Sequence, residues 1–376
     1  MKTTTLLQSL GATKVRFAGY FTKGLGDVAS DELIAIVPGA VIIELSERYF
    51  IGACSASALD AARDYLRTID DLRLLVAGPT RVLDAHAFAT LCSVAAKETR
   101  RFVEDDPDRV GASWSVTVSA RTPIWREKMP WDPARIISTS LNGADTQARS
   151  RSAVDLRLQV EGDTMHLSLN IWDRPLGKRA EKPPQRLGAL RPTVAAALLR
   201  LAVTNIDPAI LNDGVYDPFC GTGTIVAEAR EAGLQVYASD IDPAAVAICR
   251  DRLLQQATPP SGAPNETERQ TLERKIFLHD ARQGFPQGVM ARILVANLPW
   301  GKQVQIARRS DLLKGVATMI ARVVRKGGSC ALLTAHEKEL LSHLRAIAND
   351  VHVEVRHIGL LGQSPAVVLV RQEPRI

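Results

Sequence analysis

Eight consecutive residues, Asp217-Pro218-Phe219-Cys220-Gly221-Thr222-Gly223-Thr224, combine an acid, two closely spaced glycines and two hydroxyls. They follow the apolar stretch Gly214 to Tyr216 and precede an apolar helical run, Ile225 to Ala232. Glycines at such a strand–helix junction let the backbone turn sharply and approach a ligand closely. The helix start adds N–H groups without intrahelical partners. A tight turn alone is the bland alternative; the full octad between strand and helix favours a cofactor site. The third glycine of a dinucleotide fingerprint and the lysine of a phosphate loop are missing, which disfavours nicotinamide cofactors and nucleoside triphosphates.

Three further positions belong with the octad. Asp240, followed by Ile241, ends the next expected strand, where a carboxylate can accept both hydroxyls of a ribose. Asp242 is assigned instead to capping the following helix. Asp280, followed by Ala281, ends the third strand and is placed to accept the amine of an adenine ring; a solvated loop carboxylate is the alternative. Asn297-Leu298-Pro299-Trp300 closes the apolar strand Ile293 to Ala296. An amide oxygen and a backbone carbonyl can hold the hydrogens of an exocyclic amine and aim its nitrogen at a methyl group. Pro299 fixes the turn, and Trp300 offers a face for a splayed base. Cys220 reads as a small residue of the loop, not a nucleophile. The five cysteines show no CxxC spacing and no ligand-like grouping with histidine, so neither disulfides nor a metal are expected.

These residues need a parallel sheet to hold them. Apolar strands expected at Gly214 to Tyr216, Gln235 to Ala238, Lys275 to Leu278, Ile293 to Ala296 and Cys330 to Thr334 alternate with helices, the pattern of an α/β domain over 193–376. A basic, proline-broken connector precedes it at 174–192, carrying Lys178, Arg179, Lys182 and Arg186 as candidate phosphate contacts. Earlier still, Lys14 to Phe21, Asp27 to Ile36, Val41 to Leu45, Tyr49 to Gly52, Ala56 to Leu66 and Leu72 to Val76 read as the β-α-β-β-α-β order of a ferredoxin-like domain over 1–80. A second αβ unit is expected over 81–173, with helices at Ala85 to Arg101 and Pro133 to Leu141 and strands at Ser115 to Ala120, Val154 to Val160 and Met165 to Ile171.

Across 376 residues, 46% are hydrophobic and 23% charged, as in an ordinary globular protein of two or three domains. No apolar run suits a bilayer and no secretory leader is visible, so a cytoplasmic address is expected. The formal charge of +6 mildly favours a polyanionic partner.

The glycine octad and Asn297-Leu298-Pro299-Trp300 resemble the motifs of the THUMP-domain RNA guanine-N2-methyltransferases. Leu298 stands where that family more often has proline. Weaker likenesses lie at Gly24-Leu25-Gly26-Asp27, Leu66-Arg67-Thr68, Val154-Asp155-Leu156 and Arg191-Pro192-Thr193. The resemblance implies a Rossmann-like, seven-stranded, mostly parallel methyltransferase domain preceded by ferredoxin-like and THUMP-like domains, the latter binding RNA. It implies S-adenosylmethionine held by Asp217 through Thr224, Asp240, Ile241, Asp280, Ala281 and Asn297, and catalytic roles for Asn297, Pro299 and Trp300. It implies methylation of a guanosine N2 amine in the acceptor stem of tRNA. Ribosomal RNA and adenine N6 remain alternatives, as does a non-catalytic RNA-binding protein with a vestigial fold. A monomer is expected, with the need for a small activator subunit left open.

Overall fold

The computed structural model describes residues 7, 10–104, 114–120, 154–179, 188–257, 266–299 and 308–372. These fall into two compact units. The first comprises Met1–Phe21 and Ala29–Leu176, the second Thr22–Val28 and Gly177–Ile376.

In the first unit, β1 (Lys14–Tyr20), α1 (Gly26–Ile36), β2 (Val41–Leu45), β3 (Tyr49–Ser55), α2 (Ala56–Ala61) and β4 (Asp71–Arg81) are followed by α3 (Ala85–Glu104), β5 (Trp114–Ala120), β6 (Val154–Glu161) and β7 (Thr164–Asn170). All seven strands share one mixed sheet of order β2-β3-β1-β4-β7-β6-β5. The strands expected to fall into two separate domains are thus joined through β4, which pairs with β1 and with β7. Period-two alternation sorts the side chains: Phe17, Phe50, Leu74, Leu156 and Leu167 enter the apolar core. On the opposite face Tyr20 bonds His166 and Ser168, and Arg73 bonds Asp71 and Asp155. The helix expected at Ala56 to Leu66 stops at Ala61. The helix expected at Pro133 to Leu141 lies outside the described residues.

The second unit opens with α4 (Pro192–Val203), whose first turn accepts Pro192 because no intrahelical N–H is needed there. Next come α5 (Pro208–Leu211), β8 (Val215–Asp217), α6 (Thr224–Glu231), β9 (Val236–Asp240), α7 (Pro243–Ala257), α8 (Glu266–Lys275), β10 (Ile276–Leu278), a 3-10 turn (Ala281–Gln283) and β11 (Ile293–Asn297). The unit closes with α9 (Arg309–Arg325), β12 (Ser329–Thr334), α10 (Glu337–Arg345), β13 (Val351–His357) and β14 (Ala366–Gln372). The sheet order is β10-β9-β8-β11-β12-β14-β13. Only β14 runs against the rest: it is antiparallel to both β12 and β13. Helices cover both faces. Val194, Leu198, Ile225, Val246 and Leu253 pack on one, and Leu313, Val316, Ile320 and Leu340 on the other. α9 shows why: its buried residues recur at three- and four-residue steps while Arg309, Asp311 and Lys314 stay exposed. The reversal of strand order between β8 and β11 creates a crevice at the carboxyl ends, the place where open α/β sheets bind ligands.

The segment Thr22–Val28 packs within this second unit. Leu25 and Val28 join Ile358 and Leu360 in its core, Gly359 N–H donates to the Lys23 carbonyl, and Arg356 binds Asp27 through both carboxylate oxygens at 2.7 and 2.9 Å.

Candidate active site

β8 delivers Asp217 to the head of the glycine turn. Its carboxylate is buried and accepts the Phe219 N–H at 3.0 Å, closing a local turn. Burial pushes the Asp217 carboxyl up to about 8, with a smaller push from Asp240, against the lowering effect of the Phe219 N–H. The turn then reverses through Gly221 (φ +50°) and Gly223 (φ +77°), both in the left-handed region. The two glycines serve different needs. A Cβ on Gly223 would lie 2.8 Å from Cys249 Sγ, whereas a Cβ on Gly221 would meet nothing within 4 Å. Gly221 therefore leaves bare backbone facing open space, as a closely approaching ligand requires.

β9 lies beside β8 and brings Asp240 to the same turn. One carboxylate oxygen accepts Gly221 N–H and the other accepts Asp242 N–H, each at 3.0 Å. Each oxygen keeps a second acceptor position. Asp242 accepts Ala244 N–H at 2.9 Å and so caps α7, as its spacing suggests. From α7, the buried Arg252 reaches back to the Thr222 carbonyl (3.2 Å) and Thr224 Oγ1 (3.3 Å), bracing the turn from beneath. Ile241 is exposed at the same edge.

β10 pairs with β9 so that Leu278 lies opposite Asp240, and His279 N–H donates to the Asp240 carbonyl; Asp280 follows just past the end of β10. Asp280 caps the 3-10 turn and is held by Arg282, whose guanidinium keeps its carboxyl below the usual range. An adenine amine at this position would have to share the carboxylate with Arg282. Ala281, next in the chain, is buried.

Asn297 ends β11 on the same edge, opposite Leu333 of β12. Its Nδ2 donates to the Gly188 carbonyl at 3.2 Å, while Oδ1 is shielded from solvent without a partner among the described residues. Leu298 is buried and its N–H donates to the Leu333 carbonyl, so it anchors the turn by packing where a proline would act through stiffness. Pro299 is described; Trp300 lies outside the described residues.

Cys220 is buried, and contact with Cys249, then burial, pushes its thiol well up, as expected of a structural residue. Of the connector cations, Lys178 is exposed. Arg179 instead forms a bidentate pair with Glu228 of α6, with side-chain exposures of 11% and 3%. That ties the connector to the helix behind the glycine turn and leaves Arg179 poorly placed for phosphate. Lys182 and Arg186 lie outside the described residues. Sequence reasoning missed the Arg179–Glu228 pair and Arg252, because charged residues in a helix read as a solvated face.

Residues 179–363 match the family described as RMKL-like, methyltransferase domain. A tRNA (guanine(6)-N2)-methyltransferase from Thermus thermophilus is 31% identical over 214 residues, 47% of this chain and 58% of that protein. A tRNA (guanine(6)-N(2))-methyltransferase THUMP3 from Bos taurus is 28% identical over 201 residues, 50% of this chain and 37% of that protein. The matches thus span less than two thirds of either curated relative. The crystal structure of TrmN from Thermus thermophilus has the same fold, with a TM-score of 0.65 at 23% identity, covering 96% of this chain and 100% of that one.

Proposed function

We propose, from the similarity of residues 179–363 to the RMKL-like methyltransferase domain, that this chain methylates the N2 amine of a guanosine in tRNA, with S-adenosylmethionine as the methyl donor. The observation that carries the reading is one sheet edge holding three complementary features. These are the bare Gly221 backbone, Asp240 fixed against it, and the Oδ1 of Asn297, which has no partner among the described residues. The names of the two tRNA relatives support guanosine 6 as the target.

The residues fit this cofactor. Gly221 leaves room for it, and Asp240 retains acceptor capacity for a ribose diol. When bound, S-adenosylmethionine supplies a methyl group on a sulfonium leaving group. Asn297 accepts an amine hydrogen at Oδ1 and so orients the nitrogen lone pair; its own Nδ2 is fixed by Gly188, which keeps the oxygen from turning away. As positive charge develops on the attacking nitrogen, the preorganised oxygen stabilises it. Pro299 holds the turn, and Trp300 is assigned base stacking from its place in the sequence. Ile241 and Ala281 are assigned to the walls of the adenosine site. Residues 81–173 are assigned THUMP-type RNA binding, supplemented by Lys178, Lys182 and Arg186.

The test is direct. Purified protein, S-adenosylmethionine and a tRNA transcript are incubated, and the digested nucleosides are analysed by mass spectrometry. N2-methylguanosine is the expected product; N6-methyladenosine, or no methylated nucleoside, overturns the reading.

A further inference from the structure

The catalytic edge carries a second polar atom that the proposed reaction leaves unused. β12 ends at Thr334, whose Oγ1 accepts the His336 N–H at 3.0 Å. This local turn holds His336 at the sheet edge, immediately before α10 begins at Glu337. β12 lies beside β11 with Leu333 opposite Asn297, so His336 stands three residues beyond the register partner of Asn297, on the neighbouring strand end. His336 occupies the cap position of α10, yet its side chain makes no capping bond. Its Nε2, like Asn297 Oδ1, is shielded from solvent and without a hydrogen-bond partner among the described residues. Buried polar atoms are almost always paired, so each unpaired one calls for an explanation. Two such atoms stand at adjacent strand ends, each with its acceptor position open to a ligand.

We propose that His336 is a specificity-determining residue of this site, its Nε2 accepting the N1–H of the guanine whose N2 amine Asn297 holds; the inference rests on the methyltransferase reading above. The chemistry separates the two purines. In guanine the amine carbon is flanked by N1, which bears a hydrogen, and by N3, which does not. In adenine the ring nitrogen beside the amine carbon is N1, a bare acceptor. With its proton on Nδ1, the imidazole presents an acceptor at Nε2. Beside the Asn297 oxygen, that makes two acceptors for the two adjacent donors of guanine. The same pair would set a lone pair against adenine N1, a mismatch that costs more than a missing bond.

The experiment uses full-length protein and two tRNA transcripts, with guanosine or N1-methylguanosine at position 6. Single-turnover methyl transfer is measured for wild type, His336→Ala and His336→Asn. Wild type should be slowed at least about ten-fold by N1-methylation. In His336→Ala the guanosine rate should fall about ten-fold while the penalty for N1-methylation shrinks below about three-fold. His336→Asn, which offers an amide oxygen, should recover part of both, and also reports if the alanine variant fails to fold. S-adenosylmethionine affinity should stay within about two-fold of wild type in both variants. An N1-methylation penalty equal in wild type and the folded variants overturns the assignment of His336 alone. Failure of wild type to methylate the guanosine transcript overturns the methyltransferase reading, and the assignment with it.

Discussion

Replacing each glycine of the turn by alanine separates what the fold needs from what the ligand needs. At Gly223 the added methyl meets Cys249 Sγ at 2.8 Å inside the core. Overpacking of this kind costs about 1–3 kcal/mol. The residue also sits at φ +77°, where a side chain adds about 1–2 kcal/mol. Gly223→Ala should therefore destabilise the protein by about 2–5 kcal/mol in chemical denaturation. Adding Cys249→Ala should return the steric part and leave the backbone part. At Gly221 the φ of +50° carries the same backbone cost, but nothing lies within 4 Å of the new methyl. Gly221→Ala should lose only about 1–2 kcal/mol of stability. Its methyl would occupy the space assigned to the ligand, so S-adenosylmethionine affinity, measured by calorimetry, should fall at least about ten-fold, or 1.4 kcal/mol. Unchanged affinity in a folded Gly221→Ala protein would refute the idea that the cofactor approaches this backbone. A Gly221→Ala protein as unstable as Gly223→Ala would refute the division of labour.

Three other outcomes follow from the geometry. Asn297→Ala should preserve S-adenosylmethionine affinity while single-turnover methyl transfer drops by about 10²–10³, the usual loss for one preorganised partner of developing charge; a wild-type rate would reduce this turn to a structural element. Asp217 keeps its proton up to about pH 8 when folded but loses it near 4 when unfolded, so the unfolded chain binds fewer protons across that window. Stability should decline there with a slope approaching about 1.4 kcal/mol per pH unit from this group, and Asp217→Asn should remove that component from denaturation curves taken between pH 4 and 8. A chain beginning at Gly177 lacks Leu25 and Val28, each worth about 1.5–3 kcal/mol of burial, and should melt lower and scatter more light than the same unit in the full-length protein; equal melting would show that the segment is dispensable.

Much of the candidate site was legible because its signals are local. The octad, Asp240 and Asn297 each close a short apolar strand, and a parallel sheet then brings all strand ends to one edge. What stayed hidden depends on distant partners. Nothing in Gly24-Leu25-Gly26-Asp27 shows that Asp27 meets Arg356, or that Leu25 enters a core with Ile358. The single sheet of the first unit escaped for a similar reason, since β4 was expected to end at Val76 but runs on to Arg81 and pairs on both sides. β14 is a buried apolar strand whose antiparallel direction is set by its neighbours and not by its own residues. His336 reads as an ordinary residue between a strand and a helix; only the pairing of β11 with β12 brings its strand end to the same sheet edge as Asn297.

The return of Thr22–Val28 into the second unit also bears on how the protein is made. Asp27 and Arg356 are 329 positions apart, so the acid leaves the ribosome long before the arginine exists. At about 5–20 residues per second, roughly a quarter of a minute to a minute separates them. During that interval the nascent chain carries Leu25 and Val28 with no core to receive them. The first unit has all its strands while the second still lacks β13 and β14. Any ribosome that stops before those last strands leaves a chain in which one end of α1 is folded and the other still waits.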